Sequence, residues 1–302
     1  MIATSKSPSE SGETVTGSGT LATPKRLGRT GYLIAALCLA ICAVMIAPLA
    51  ISVLASLKPT VEAAASPPTY LPHSLALDSY ERLWSYQEGL PTYLANSLGT
   101  AVLAIVLTLV LTVPAGYALA RFPIPAKEVI FVVLLLALIV PYQALLTPIF
   151  LMFAKMGLTN TLLGLAILNT AIQLPFSLYI MRNSFSAVPI ELEEAAVVDG
   201  ASSWQILRTI YIPSALPAIV TVALFAFITS WNEFLGALVM MNKGSSFTLP
   251  LILSAARTET SLGGTDWGML QAGITISIIP CVLFYLLLQR YYVSGLMSGA
   301  VK

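Results

Sequence analysis

The sequence predicts an all-α integral membrane protein, a bundle of six transmembrane helices with both termini in the cytoplasm. Two observations carry the membrane reading. Of 302 residues, 57% are hydrophobic and only 10% charged, against about one quarter charged in soluble domains, and the mean hydropathy is +0.85. The apolar residues also fall in six long continuous runs, each near the roughly 20 residues that a helix needs to span a bilayer, without the ten-residue alternation of a membrane β-barrel. Orientation comes from the basic residues. Lys6, Lys25, Arg26, Arg29, Arg121, Lys127, Arg182, Arg208, Arg290 and Lys302 lie on the side of the N-terminus, and only Lys58, Arg82, Lys155, Lys243 and Arg257 lie opposite. By the positive-inside rule the termini are cytoplasmic.

In chain order, residues 1–28 are rich in Ser, Thr and Gly and poor in large apolar side chains, so they read as a disordered cytoplasmic tail. Residues 29–302 form the transmembrane domain, with spans expected at about 31–56, 93–119, 129–153, 158–181, 214–241 and 268–289. The first run follows Lys25, Arg26 and Arg29 and is too long and too late for a cleaved signal peptide. Pro114, Pro141, Pro148, Pro175 and Pro217 are expected to kink or bound helices. Between the spans, the outer segment 57–92 carries prolines and aromatics and predicts a short helix near Leu77–Tyr86. The outer segment 242–267 is polar and rich in Gly, Ser and Thr, as suits contact with something outside the membrane. His73 has no second ligand at a metal-binding spacing, and Cys38, Cys42 and Cys281 sit in apolar runs as packing residues.

The cytoplasmic segment 182–213 is unusual. "IELEEAAVVDGASSWQ" holds Glu191, Glu193, Glu194 and Asp199, four of the chain's 14 acidic residues. Pro189 and the glutamates suit a helix N-terminus, where proline costs little and negative charge is favoured. Gly200 is placed as a C-terminal cap free to adopt positive φ. Ser202 and Gln205 form a capping-box pattern for a second helix that Pro213 stops. The prediction is a helix, a glycine elbow and another helix. Leu192, Ala195, Ala196 and Asp199 share one face of the first, and Trp204, Leu207, Arg208 and Tyr211 one face of the second.

"EAAVVDGASSWQILRTIYIP" resembles the EAA loop of bacterial ABC-importer permeases. The pattern falls on Glu194, Ala195, Ala196, Gly200, Ile210, Ile212 and Pro213, with isoleucine at 212 where leucine is usual. "NSLGTAVLAIVLTLVLTVPAGYALARF", "PIFLMFAKMGLTNTLLGLAIL", "SWNEFLGAL" and "YYVSGLMSGAVK" narrow the resemblance to the carbohydrate-type, MalG-like permeases, over residues 28–302. The resemblance implies a type I ABC-importer transmembrane domain in the bacterial cytoplasmic (inner) membrane, moving a sugar or sugar-like solute by alternating access. It implies that Glu194, Ala195, Ala196, Asp199, Gly200, Ile210 and Pro213 couple the chain to a separate ATPase. It also implies as partners a dimer of ATPase subunits, a second, non-identical permease and an extracytoplasmic solute-binding protein, the last reached through 242–267. Gly295, Gly299 and Lys302 would belong to an ATPase-contacting tail.

The residues fit that division. No G-x-x-x-x-G-K-[ST] phosphate loop is present, so ATP and Mg are expected on the partner ATPase and no cofactor in this chain. No catalytic or metal-binding constellation stands out, and a net charge of +1 gives no sign of nucleic acid. Within the spans Asn96, Gln143, Gln173, Asn232 and Glu233 are candidates for the translocation pathway. Asn232 and Glu233 suit a gate and an inter-subunit hydrogen bond equally well, while Asn169 and Gln271 read as helix-to-helix bonds. An ion-coupled secondary transporter is the alternative, but it calls for more intramembrane carboxylates or an internal repeat. A membrane-embedded enzyme calls for converging His, Asp, Ser or Cys residues.

Overall fold

The structure is a computed structural model that describes residues 29–63, 65, 67, 69–255 and 265–300, with side chains to Gln289. The tail 1–28, residues 256–264 of the second outer segment and Lys302 lie outside the described residues. Contacts divide the chain into two units at Pro48. The described part of the first unit is helix α1 (Arg29–Ser56) up to Pro48, with Leu33, Leu37, Ile41 and Val44 exposed along it.

In the second unit the chain continues through α2 (Thr60–Ala63), α3 (Asp78–Trp84) and the 32-residue α4 (Leu90–Arg121), about 48 Å long at 1.5 Å per residue. Then follow α5 (Lys127–Leu136), α6 (Tyr142–Lys155), α7 (Leu162–Ser186) and α8 (Ile190–Val198). After α9 (Ser203–Ile206) come a π-helical turn at Leu207–Tyr211, α10 (Ile212–Ser214), α11 (Leu216–Trp231) and α12 (Leu235–Met240). A 3₁₀ turn at Gly244–Ser246, α13 (Leu249–Ala255) and α14 (Trp267–Ala300) complete it. No strand occurs among the described residues. Four helices there are long and apolar enough to cross a membrane: α1, α4, α7 and Trp267–Gln289 of α14. Ser203–Ser214 and Leu216–Trp231, bent by 78°, make a fifth if taken together.

Helices α4, α7 and α11 pack against one another and organise the interior. Gly116 lets α4 approach α7: a Cβ there would lie 2.7 Å from Met181 Cβ and 3.1 Å from the Arg182 nitrogen, closer than packed atoms tolerate. Apolar cores follow among the described residues, three of which position the site. Leu83, Leu90, Tyr93, Leu249, Ile252 and Met269 close the N-terminal end of α4. Tyr117, Met181, Phe185, Ile206, Leu207 and Tyr211 close its C-terminal end. Phe153, Leu165, Leu168, Ala237 and Met240 join α6, α7 and α12.

Two expected spans are interrupted. The run 129–153 breaks after Leu136 and resumes at Tyr142, because Pro141 has no N–H for the ladder and biases Val140 away from helical angles. The run 214–241 breaks at Asn232–Phe234, where the buried Glu233 carboxylate takes the Gly236 N–H at 2.6 Å and the Ala237 N–H at 2.9 Å. The helix in the run 158–181 starts later than expected, at Leu162, because the Thr161 hydroxyl accepts the Gly164 N–H and fixes the helix start. The segment 242–267, expected to be a polar outer loop, also departs from that expectation. Leu249, Leu251, Ile252 and Leu253 are buried, so its first part folds back into the bundle. The short helix expected near Leu77–Tyr86 is α3.

Candidate functional site

The elbow is built as its residues dictate. Pro189 (φ −56°, ψ 135°) precedes the first turn of α8, with Glu191 and Glu193 inside that turn. At the other end Gly200 takes φ +81°. The Gly200 N–H reaches the Val197 carbonyl at 3.0 Å and the Ala201 N–H the Ala196 carbonyl at 2.9 Å. This is the Schellman pattern, which closes the last turn and requires left-handed backbone at the glycine. Ser202 and Gln205 then complete the reciprocal capping box, and α9 departs in a new direction.

The second arm differs from expectation in two ways. Pro213 does not stop the helical run, because its ring sits in the first turn of α10, where no N–H is needed; the chain turns at Ala215 instead. Nor do Trp204, Leu207, Arg208 and Tyr211 share a face. The extra residue of the π turn rotates the face, so Ile206, Leu207 and Tyr211 are buried while Trp204 and Arg208 are exposed. On α8, Leu192, Glu194, Ala195, Val198 and Asp199 are exposed, whereas Ala196 turns half inward against Tyr211 and its neighbours. Ile210 is half-buried and Pro213 exposed.

Under the elbow lies a joint that spacing gave no means of finding. Glu193, which reads in sequence only as a helix-start carboxylate, accepts a 2.5 Å hydrogen bond from the Tyr211 hydroxyl. Its carboxylate also lies 3.8 Å from Arg121 Nε, with both side chains largely buried. Arg121, last residue of α4, donates to the carbonyls of Phe185 (2.8 Å) and Val188 at the end of α7 and stands 5.1 Å from the Tyr211 ring centroid. Tyr117 and Phe185 pack edge-on or tilted against the same ring, at 4.8 and 5.7 Å between centroids. One carboxylate therefore ties α8 to the end of α4 and to the π turn, and Arg121 carries the tie on to the end of α7. Beside it an open groove of about 420 Å³ is lined by Arg121, Ile190, Glu193, Glu194, Val197 and Val198.

The intramembrane candidates do not converge. Asn96 donates to the Ser245 and Phe247 carbonyls, at 2.8 and 2.9 Å, and so fastens the segment after α12. Gln173 is buried and accepts from Thr229 at 3.2 Å. Asn232 is exposed and donates to the Ile228 carbonyl of its own helix. Only Gln143 and Glu233 belong to one region. Tyr142 donates to Glu233 at 3.2 Å, joining the two helix breaks, and with Gln143 it lines a cavity of about 360 Å³ between the α5–α6 break and α7. Asn169 donates to Ser230 at 2.9 Å, a helix-to-helix bond.

Known proteins share this architecture. The chain is similar to the osmoprotective compounds uptake permease protein GgtD of Synechocystis sp., at 38% identity over 68% of this chain and 69% of that protein. It is similar to the trehalose transport system permease protein SugB of Mycobacterium tuberculosis, at 34% identity over 82% and 89%. Among solved structures, a chain of a bacterial ABC transporter involved in the import of the acidic polysaccharide alginate matches with a TM-score of 0.76 and 25% identity, over 89% of this chain and all of that one. A family model matches residues 112–297, which include the whole elbow and the joint beneath it. The chain belongs to the family of binding-protein-dependent transport system inner membrane components.

Proposed function

We propose that the chain is the permease subunit of an ATP-driven ABC importer for a sugar or sugar-like solute, acting by alternating access. The observation that carries this reading is the elbow itself: a Schellman-capped helix that exposes Glu194, Ala195, Val198 and Asp199 while Glu193 anchors it to α4 and the π turn, and through Arg121 to α7. A motor subunit seated on that exposed face would move the ends of α4, α7 and the π turn as one body. Glu194, Ala195, Ala196, Asp199, Gly200, Ile210 and Pro213 form the coupling set, with Ala196 and Ile210 supporting it from within. Tyr142, Gln143 and Glu233 are the pathway candidates that lie together. Asn96, Gln173 and Asn232 hold neighbouring backbone or side chains.

The topology we propose has six spans with both termini in the cytoplasm of a bacterium, the α5–α6 and α11–α12 pairs each serving as one interrupted span. Irregular backbone at membrane depth is tolerated where it lines a cavity. The transmembrane domain runs over 29–302, after a tail of 28 residues. The chain has no catalytic role of its own; ATP and Mg act on a dimeric ATPase partner. A second, non-identical permease and a solute-binding protein complete the importer, and the cargoes named for the similar proteins, trehalose and alginate among them, favour a sugar or sugar-like solute. Uptake of radiolabelled trehalose by proteoliposomes holding the complete importer and its binding protein tests the reading. Uptake that needs ATP and vanishes without this chain is expected; uptake driven by an ion gradient alone would overturn it.

A further inference from the structure

At the end of α4 remote from the elbow, a second cavity, of about 210 Å³, opens between the C-terminal turn of α1, α2 and the start of α14. The importer reading assigns it no role. Its floor is apolar, from Ile51 and Ala55, and Trp267 and Tyr70 stand at its rim, exposed by 49% and 73%. Its polar groups are few and fixed. Lys58 is 4% exposed, yet among the described residues it has no carboxylate within ion-pair distance. Its ammonium donates instead to Thr69, through the carbonyl and, at 3.0 Å, the hydroxyl. The Thr69 hydroxyl passes the polarity on to Glu62 Oε1 at 2.8 Å, and the His73 backbone N–H and ring Nδ1 hold that carboxylate from its other side. One turn into α14, the Gln271 carbonyl oxygen accepts from Ser52 at 2.5 Å, which leaves its amide N–H groups for the cavity.

From this arrangement we infer that the cavity binds a neutral polyhydroxyl solute, one sugar ring in size. The inference rests on the importer reading for the presence of such solutes. Lys58 keeps one ammonium hydrogen beyond the two directed at Thr69, and Gln271 adds a second donor. Glu62 supplies acceptor capacity a few ångströms away. A buried cation and a half-buried anion held apart by a threonine make a site of zero net charge with both donors and acceptors, which is what hydroxyl groups pair with. An anion would meet Glu62 and a cation would meet Lys58, each losing water without a full partner. The indole of Trp267 offers an apolar platform with its own polar edge. Typical pockets for drug-sized ligands are about 300–1,000 Å³, so this smaller one fits a single ring rather than an oligosaccharide.

The test uses the purified full-length permease in nanodiscs, titrated with glucose, glucuronate and glucosamine and read by saturation-transfer NMR. Glucose is expected to saturate, with glucuronate and glucosamine at least about fivefold weaker, a difference near 1 kcal/mol. Trp267→Ala and Gln271→Leu should each weaken glucose by a similar factor, while Trp267→Phe keeps the platform and restores binding. Equal binding of all three sugars, unchanged binding in Trp267→Ala, or a copurifying lipid that occupies the cavity and resists glucose would each overturn the inference. Uptake by the assembled importer, measured in parallel, separates the two readings. Normal sugar uptake without glucose saturation removes the site and leaves the importer; selective saturation without any sugar uptake keeps the site and removes the importer's substrate class.

Discussion

The Tyr211 hydroxyl donates a 2.5 Å hydrogen bond to the Glu193 carboxylate, so the first arm of the elbow is bolted to the second from beneath, on the side away from its exposed face. A hydrogen bond to a charged group contributes about 1.5–3 kcal/mol. Tyr211→Phe is therefore expected to lower stability by roughly that amount and to leave ATP hydrolysis by the assembled importer less tightly linked to uptake. Glu193→Ala should be worse, since it also strips Arg121 of its carboxylate. Thermal unfolding in detergent, with ATP consumed per solute moved, checks both; wild-type coupling in Glu193→Ala would remove the joint from the mechanism.

Gly200 isolates the backbone requirement from packing. Its φ is +81°, but a Cβ there meets nothing within 4 Å. A substitution is thus penalised only by the left-handed conformation, about 1–2 kcal/mol for an ordinary residue and more for a β-branched one. Gly200→Asn should be nearly silent, and Gly200→Val should insert normally but lose uptake. Equal transport by the two variants would contradict a precise elbow angle.

Docking can be mapped by cysteine crosslinking after the native Cys38, Cys42 and Cys281 are replaced. Sequence spacing puts Ala196 on the contact face, yet it is half-buried, whereas Ala195 is exposed and Val198 is 87% exposed. Cysteines at Ala195 and Val198 are expected to crosslink to the ATPase more efficiently than one at Ala196. The reverse order, found with several linker lengths, would show that the joint opens when the partner docks.

Glu233 ties two interrupted helices together through Tyr142, Gly236 and Ala237. Glu233→Gln retains one acceptor oxygen and should unfold only slightly earlier than wild type. Glu233→Ala leaves two backbone N–H groups and a phenol unpaired, at about 1–3 kcal/mol for each buried group. Comparable melting of the two variants would mean that the α11–α12 break is held by packing alone.

The Glu62 carboxyl is held below its ordinary value, chiefly by the hydrogen bond from the His73 ring, with Thr69 and the His73 backbone adding to it against some desolvation. A depressed carboxylate stabilises the fold fully above its unfolded value, near 4.5, and loses that contribution as pH falls through the lower folded value. The melting difference between wild type and Glu62→Gln should therefore shrink as pH falls below the unfolded value. A difference that grows as pH falls below that value would reverse the sign and discard the assignment.

Much of this molecule is legible in its sequence, and the legible parts share a physical origin. The apolar runs, the placement of Gly200 and the Ser202–Gln205 box are local matters, decided within a few residues by solvation, left-handed backbone and orphaned N–H groups. So is the EAA spacing, which identifies the family before any coordinate is known. What local chemistry leaves open is decided by groups far apart in the chain. Glu193 is an ordinary helix-start residue until Arg121 and Tyr211 reach it, and the π turn that rotates Trp204 away from Tyr211 has no marker in the residues that form it. Glu233 suits a gate and an inter-subunit hydrogen bond equally well in sequence, and only folding brings Gly236, Ala237 and Tyr142 around it. Burial of a carboxylate must be matched by donors, and those donors come from whichever elements the tertiary packing delivers.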